Sequence, residues 1–122
     1  MARILVIDDD ADVRSVIRRH LQTEGHDVVE AADGRAGMKL FRDRPADLVV
    51  TDLFMPEQEG LETIRELRRS FKDAKILVVT GAAPGGSFDF RAHAARLGAG
   101  AALTKPFTRE ELLGAVHALL DS

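Results

Sequence analysis

RILVIDDD, from Arg3 to Asp10, is a short apolar run that ends directly in three carboxylates. A second stretch, LVVTD from Leu48 to Asp52, repeats the arrangement with a single terminal acid. Runs of about four apolar, β-branched-rich residues have the length of a buried strand. Ligands of an open parallel sheet bind at the carboxyl ends of its strands, so we expect both acidic groups to converge at one edge.

The rest of the chain alternates strand-like and helix-like segments. Strands are predicted at 3–7, 26–30, 47–51, 75–80 and 101–104. Five helices are predicted between and after these strands. The first begins at a cap, Asp9 or Asp10, and ends at Gly25; the second begins at Asp33 and ends before Pro45. The third follows an apolar stripe through 61–68, the fourth covers roughly 87–97, and the last begins at a capping box of Thr108 with Glu111. This alternation requires right-handed crossovers. The predicted fold class is therefore α/β, a doubly wound five-stranded parallel sheet flanked by five helices.

Composition favours one globular domain over residues 1–122. Hydrophobic residues make up 45% of the chain and charged residues 30%, and a chain of this length buries roughly two thirds of its unfolded surface. The absence of cysteine excludes disulfides, thiolate catalysis and zinc–thiolate sites. A net charge of −3 provides no basic stripe for a nucleic-acid backbone. We expect no direct nucleic-acid binding by this chain.

The predicted compartment is the cytoplasm, without a membrane partner. No apolar run approaches the ~20 residues that span a bilayer. Strand-like sequence begins at Arg3, directly after Met1 and Ala2, and so leaves no room for a signal peptide before the fold.

The strand-end acids point to a divalent cation. Two like charges 4 Å apart repel by ~4 kcal/mol at an effective dielectric near 20, so Asp8, Asp9 and Asp52 need compensation. Hard carboxylate oxygens without histidine or thiolate suit Mg²⁺, with Mn²⁺ as the alternative ion. Such an ion would also neutralise charge on a transferring phosphoryl group. The pattern is typical of a phosphoryl-transfer site.

A cation and a hydroxyl are predicted at the same edge. Lys105 follows the fifth strand and Thr80 ends the fourth. Taken singly, strand-end acids serve equally well as helix caps, and a lysine as a solvated charge. The coincidence of Asp8, Asp9, Asp52, Thr80 and Lys105 at consistent strand ends favours a functional site.

At this point the chain resembles the receiver domain of two-component response regulators. The matching pieces are ILVIDDD (4–10), VVTDLFMP (49–56), VVTG (78–81) and LTKPF (103–107). The resemblance covers essentially the whole chain and implies the strand order 2-1-3-4-5. It also implies that the domain takes a phosphoryl group from a histidine kinase or histidine phosphotransfer protein, later hydrolyses it, and signals to a downstream effector domain or protein. It would catalyse its own phosphorylation without being a conventional enzyme.

The resemblance also implies residue roles. Asp52 looks like the phosphoacceptor and, with Asp9, like a direct magnesium ligand, while Asp8 looks like a ligand acting through water. The carbonyl of Phe54 resembles a further ligand. The remaining roles concern the phosphoryl group: the Thr80 hydroxyl and the Lys105 ammonium resemble the groups that hold its oxygens, and the bond from Lys105 to Pro106 resembles the family's cis peptide.

Two departures concern the output. Many receivers carry tyrosine or phenylalanine three residues before the lysine as a switch, and here that position is Ala102. The stretch from Thr80 to Lys105 is longer than usual, with the excess in GAAPGGSFDF. We hypothesise that Phe88 or Phe90 occupies the space of the missing aromatic; the alternative is that both only pack as core or loop anchors.

Two other interpretations stay open. One is a haloacid-dehalogenase-type phosphohydrolase with Asp8 as nucleophile and Asp10 as acid, although Ala11 and Asp12 replace the glycine and threonine which that family expects. The other is a receiver-like interaction module whose output ignores phosphorylation. Asp10 itself is favoured as a cap of the first helix. The four histidines are interpreted as scattered, solvated or partly packed residues.

Overall fold

The computed structural model describes residues 2–52, 59–81, 95–96 and 98–122. Its strands are β1 (Arg3–Ile7), β2 (Asp27–Ala31), β3 (Leu48–Asp52), β4 (Ile76–Gly81) and β5 (Ala101–Lys105). Its helices are α1 (Ala11–Thr23), α2 (Gly34–Asp43), α3 (Glu59–Ser70) and α4 (Arg109–Leu120). The helix predicted over roughly 87–97 lies mostly outside the described residues, of which Ala95 and Arg96 are helical. Within the described ranges no helix is long and apolar enough to cross a membrane.

All five strands pair in parallel in the order β2-β1-β3-β4-β5. This confirms the predicted fold class and strand order. The winding direction reverses between β1 and β3, and in such sheets ligands bind outside the carboxyl ends at that point. Ile7, the last residue of β1, pairs with Thr51 of β3, so the acids that follow Ile7 lie beside Asp52.

Helices cover both faces of the sheet. In β1, Leu5 and Ile7 join the cluster packed under α2 and α3, whereas Ile4 and Val6 join the cluster under α1 and α4. Because both faces are buried, the strands read as continuous apolar runs. Two apolar cores thus hold the strand ends in place.

Side-chain caps define where the helices begin. Asp10 accepts hydrogen bonds from the amides of Asp12 and Val13, and Asp33 accepts one from Ala36. Thr108 and Glu111 form the predicted capping box at the start of α4. Caps of this kind stabilise a helix by ~1 kcal/mol each. The structure confirms the caps at Asp10, Asp33 and Thr108.

Strand ends differ from the prediction by about one residue, and the difference matters for the site. Asp52 continues the β3 ladder opposite Val79, and Lys105 continues the β5 ladder opposite Gly81. The sequence pattern placed both just after their strands, since a charged residue usually ends an apolar run. Both residues instead belong to the sheet, which fixes their backbones.

Candidate functional site

Three carboxylates meet at the carboxyl edge of β1 and β3. Asp8, Asp9 and Asp52 each offer one oxygen, and these atoms all lie within 4.8 Å of one another. Asp8 is fully buried and Asp52 is 6% exposed, while Asp9 is exposed. Buried carboxylates this close need positive charge beside them.

Lys105 supplies part of that charge. Its Nζ atom lies 2.9 Å from Oδ2 of Asp8 and 2.9 Å from Oδ2 of Asp52. Burial alone would lower the pKa of the ammonium, but its hydrogen bonds to both carboxylates and their charges outweigh burial, so the pKa of Lys105 is raised. The lysine therefore stays protonated at neutral pH. The cluster of three carboxylates and one ammonium keeps a net negative charge.

Backbone contacts also hold Asp8. Its Oδ1 accepts a hydrogen bond from the Asp10 amide at 2.9 Å. Its own amide donates to the Ala31 carbonyl at 3.1 Å, which extends the pairing of β1 with β2. The Asp10 carboxylate points the other way, to the α1 amides, 2.9 Å from Asp12 N and 3.3 Å from Val13 N. Of the three consecutive acids, Asp10 is therefore the one that caps α1.

Thr80 lies at the same edge of the sheet. It is fully buried near the end of β4, one position beyond Val79, the residue that pairs with Asp52. Its hydroxyl donates to the Gly81 carbonyl at 3.5 Å, a long hydrogen bond. Because this hydrogen bond is long, the Thr80 hydroxyl can readily donate to a better acceptor in place of the Gly81 carbonyl.

The remaining predicted residues divide into two groups. The Lys105–Pro106 peptide bond is cis, and Ala102 pairs with Val78 and packs against the core under α2 and α3. Phe54, Phe88 and Phe90 lie outside the described residues, so the roles predicted for them stay predictions.

Sequence reasoning missed one contact to the acidic cluster. The Arg14 guanidinium donates through Nη1 to the carbonyl of Asp8, and its Nε lies 3.4 Å from Oε1 of Glu30. Arg18 also pairs with Glu30, at 2.6 Å. The position of Arg14 on the first turn of α1, four residues after the cap Asp10, was the feature of the sequence that could have indicated its contact with Asp8.

A second unpredicted contact lies at the opposite edge of the sheet. The Nε2 atoms of His26 and His117 are 3.2 Å apart. Both residues are half-buried, which agrees with the partly packed alternative, but their pairing was not predicted. His26 directly precedes β2, and His117 lies in the last turn of α4. Burial, with the neighbouring His117 adding to it, lowers the pKa of His26.

The site offers an all-oxygen donor set beside a fixed ammonium and a threonine hydroxyl, at the switch point of a doubly wound sheet. A family model described as the response regulator receiver domain matches residues 4–117. The chain belongs to this family. The match includes all three clustered acids, Thr80 and Lys105, and it favours the receiver interpretation over the haloacid-dehalogenase alternative.

Relatives of the receiver domain are longer proteins. This chain is 43% identical over 118 residues to the response regulator MprA of Mycolicibacterium vanbaalenii, and the match covers 97% of this chain and 50% of that protein. It is 43% identical over 119 residues to MprA of Mycobacterium leprae, again with 97% and 50% coverage. The chain thus spans about half the length of the curated relatives it matches.

Solved structures share the fold over nearly the whole receiver domain. A two-component response regulator of the LuxR family from Aurantimonas sp. is 36% identical with a TM-score of 0.88, covering 99% of this chain and 86% of that one. The chemotaxis protein CheY4 of Vibrio cholerae is 29% identical with a TM-score of 0.87 and 98% coverage of both chains.

Proposed function

We propose that Asp52 of this receiver domain accepts a phosphoryl group in a Mg²⁺-dependent reaction and that the modification changes a distal surface. One observation carries the proposal: the Asp52 carboxylate is 2.9 Å from the Lys105 ammonium and clusters with two further carboxylates. A nucleophile for phosphoryl transfer needs charge neutralisation at hand, and this chemistry depends mainly on positioning and electrostatics.

The residues present fit a hard divalent cation. Asp8, Asp9 and Asp52 supply only carboxylate oxygens, close enough to share one ion. The Phe54 carbonyl, a further ligand implied by the family, lies outside the described residues. Bound Mg²⁺ would supply charge neutralisation for the phosphoryl oxygens. The excess negative charge of the cluster favours binding of a divalent cation.

The proposed transfer uses the chain's own groups as follows. An Asp52 carboxylate oxygen forms a bond to phosphorus while the phosphorus–nitrogen bond of a phosphohistidine breaks. The donor ring carries a proton on its other nitrogen and keeps the electron pair of the broken bond, so it leaves as a neutral imidazole, and Asp52 becomes an acyl phosphate. The Lys105 ammonium, already beside Asp52, then holds a phosphoryl oxygen, and the Thr80 hydroxyl exchanges its long bond to Gly81 for another. Later attack by water on phosphorus releases inorganic phosphate and restores the carboxylate.

The proposed donor is a sensor histidine kinase or a histidine phosphotransfer protein. Val16 of α1 is 43% exposed, and with Val13, Pro106 and Phe107 it lines an apolar cavity of about 400 Å³ that Lys105 also borders. An apolar surface beside the reacting groups is suited to protein docking. Receiver family membership supports a kinase as the occupant and the cytoplasm as the compartment.

The proposed recipient of the signal is an effector domain or a separate effector protein. We infer that residues 1–122 act as a single receiver domain, since one sheet and its two cores account for the described strands. The curated relatives are about twice as long as this chain, which supports an effector within a longer protein. Direct contact with nucleic acid is not proposed for this domain.

Ala102 favours one alternative, a receiver whose output ignores phosphorylation. The alanine packs against the core at the position where the family's aromatic switch is expected. Amide spectra with Mg²⁺, with and without beryllofluoride as a phosphoryl mimic, separate the two. Shifts that reach β5 and α4 support switching, whereas shifts confined to the acidic cluster favour the alternative.

The test of phosphorylation is incubation with acetyl phosphate followed by mass spectrometry of the intact protein. We expect one phosphoryl group on the wild type with Mg²⁺ and none with a chelator. Asp52→Ala should remain unmodified, while Asp10→Asn, which changes a cap outside the acidic cluster, should be modified normally. Equal modification of the wild type and Asp52→Ala contradicts the proposal.

A further inference from the structure

We propose that Arg14 is a positioning residue for the ion site: it holds the peptide group that joins Asp8 to Asp9 and thereby sets the position of the Asp9 carboxylate. The inference rests on the proposed function of the site, since it concerns how Asp8, Asp9 and Asp52 bind a divalent cation.

The Arg14 contact is directed at the backbone. One guanidinium nitrogen donates to the carbonyl oxygen of Asp8, and the side chain is only 16% exposed. The peptide unit is planar and rigid, so its carbonyl oxygen and the Asp9 nitrogen move together. Holding that oxygen fixes the direction in which Asp9 leaves the strand.

Asp8 and Asp9 differ in how their carboxylates are held. Both Asp8 oxygens have partners, the Asp10 amide and the Lys105 ammonium. Asp9 is exposed, and within the described part of the chain no hydrogen bond or ion pair to its side chain is present. Its position therefore depends on the backbone, and on the contact from Arg14.

Arg14 is itself anchored at a second point. Glu30 of β2 lies 3.4 Å from its Nε, and Glu30 is in turn held by Arg18 at 2.6 Å. The contact at Nε is an ion pair and not a hydrogen bond; it draws the planar guanidinium toward β2 while Nη1 donates to the Asp8 carbonyl. This arrangement connects α1, β2 and the strand end that carries the acids.

Positioning and simple charge predict opposite results. Arg14 is a cation beside a cation site, so its removal should tighten Mg²⁺ binding if its only effect is electrostatic repulsion. If it positions Asp9, its removal should weaken binding, as with other residues that orient metal ligands. The sign of the change in Mg²⁺ affinity decides between them.

The experiment is a Mg²⁺ titration followed by amide chemical shifts, on the wild type, Arg14→Ala, Arg14→Lys and Arg3→Ala. We expect Arg14→Ala to raise the Mg²⁺ Kd about tenfold and Arg14→Lys to recover part of the loss. Arg3 is the matched control, with a side chain 18% exposed and paired with Asp27 at 3.5 Å at the amino end of β1; Arg3→Ala should keep the Kd within about twofold. Tighter or unchanged Mg²⁺ binding in Arg14→Ala overturns the proposal.

A kinetic measurement adds a readout that loss of folded protein would not mimic. With acetyl phosphate, Arg14→Ala should need more Mg²⁺ for half-maximal phosphorylation while reaching the wild-type rate at saturating Mg²⁺. A lower saturating rate with unchanged Mg²⁺ dependence contradicts positioning. If Arg14→Ala does not fold, Glu30→Gln, which removes the anchor, should weaken Mg²⁺ binding, and unchanged binding then overturns the proposal.

Failure of this inference is distinguishable from failure of the proposed function. Wild-type Mg²⁺ binding that Asp52→Asn leaves unchanged would contradict the proposed ion site itself. Asp52-dependent Mg²⁺ binding that is insensitive to Arg14→Ala would contradict only the role of Arg14.

Discussion

The ammonium of Lys105 lies 2.9 Å from the carboxylate of Asp52, although β4 separates the strands that carry them. The lysine thus reaches across a neighbouring strand to neutralise a buried acid. Lys105 contacts Asp8 at the same distance, so one cation serves both carboxylates. We expect stability and metal binding to be coupled through it.

Replacing Lys105 should destabilise the metal-free protein. Lys105→Met keeps the length of the side chain but leaves two buried carboxylates without their cation, at a cost of about 1–3 kcal/mol. Mg²⁺ should restore part of this loss, because an ion that binds only the native state stabilises it. Urea unfolding followed by circular dichroism, with Mg²⁺ and with a chelator, measures both effects. An unchanged unfolding free energy in chelator would show that the ion pairs contribute nothing.

Removing the Asp52 charge should have the opposite effect on the metal-free protein. Asp52→Asn relieves repulsion among the acids while Lys105 keeps its contact to Asp8. We expect the free energy of unfolding in chelator to equal or exceed that of the wild type, and its increase with Mg²⁺ to be lost. Thermal unfolding at a series of Mg²⁺ concentrations tests this. A destabilised, Mg²⁺-responsive Asp52→Asn protein would contradict the predicted role of Asp52.

Substitutions of Asp10 should change the stability of α1 and leave Mg²⁺ affinity unchanged. Asn caps helices as well as Asp does, whereas Ala does not. Asp10→Asn should therefore keep wild-type stability, and Asp10→Ala should lose ~1 kcal/mol. Urea unfolding measures the cap, and a Mg²⁺ titration of Asp10→Asn measures the ion site. A large loss of Mg²⁺ affinity in Asp10→Asn would return Asp10 to the ligand set.

The His26–His117 pair should make stability depend on pH. The Ala2 amide donates to Nδ1 of His26 at 3.2 Å, so the neutral ring carries its proton on Nε2 and donates to His117. Burial and His117 lower the pKa of His26, against a smaller opposing effect of Glu24. Asp47, Asp73, Lys75 and Asp121 line the same cavity.

The lowered pKa of His26 determines whether the free energy of unfolding rises or falls with pH. The unfolded chain takes up the proton first as pH falls below about 6.5, so the contribution of His26 is present above that pH and is lost as pH falls through the folded-state pKa. His26→Gln should flatten the dependence of the unfolding free energy between about pH 5.5 and 7.5. His20→Gln, which changes a histidine outside the pair, should keep the wild-type slope; equal slopes in all three proteins would contradict the prediction.

The sequence was sufficient for contacts that follow from strand ends. Asp8 and Lys105 are 97 positions apart and meet, because parallel strands bring their carboxyl ends to one edge and each residue ends a recognisable apolar run. The caps were predictable for a similar reason, since they depend on local spacing alone.

Contacts made by helices were not predictable in the same way. His26 and His117, 91 positions apart, meet only because the last turn of α4 reaches the amino edge of the sheet. The contact of Arg14 with a carbonyl requires the position of α1 relative to β1, which periodicity does not specify. His26 and His117 are half-buried, as the partly packed alternative predicted, but their pairing depends on tertiary packing that composition does not specify.

The most direct test of the central claim is the position of the phosphoryl group. After Mg²⁺ and acetyl phosphate, borohydride reduction of the acyl phosphate and peptide mapping by mass spectrometry identify the modified acid. We expect the label on Asp52 alone, and its disappearance in Asp52→Ala. Label on Asp8, or label that persists in Asp52→Ala, would contradict the account.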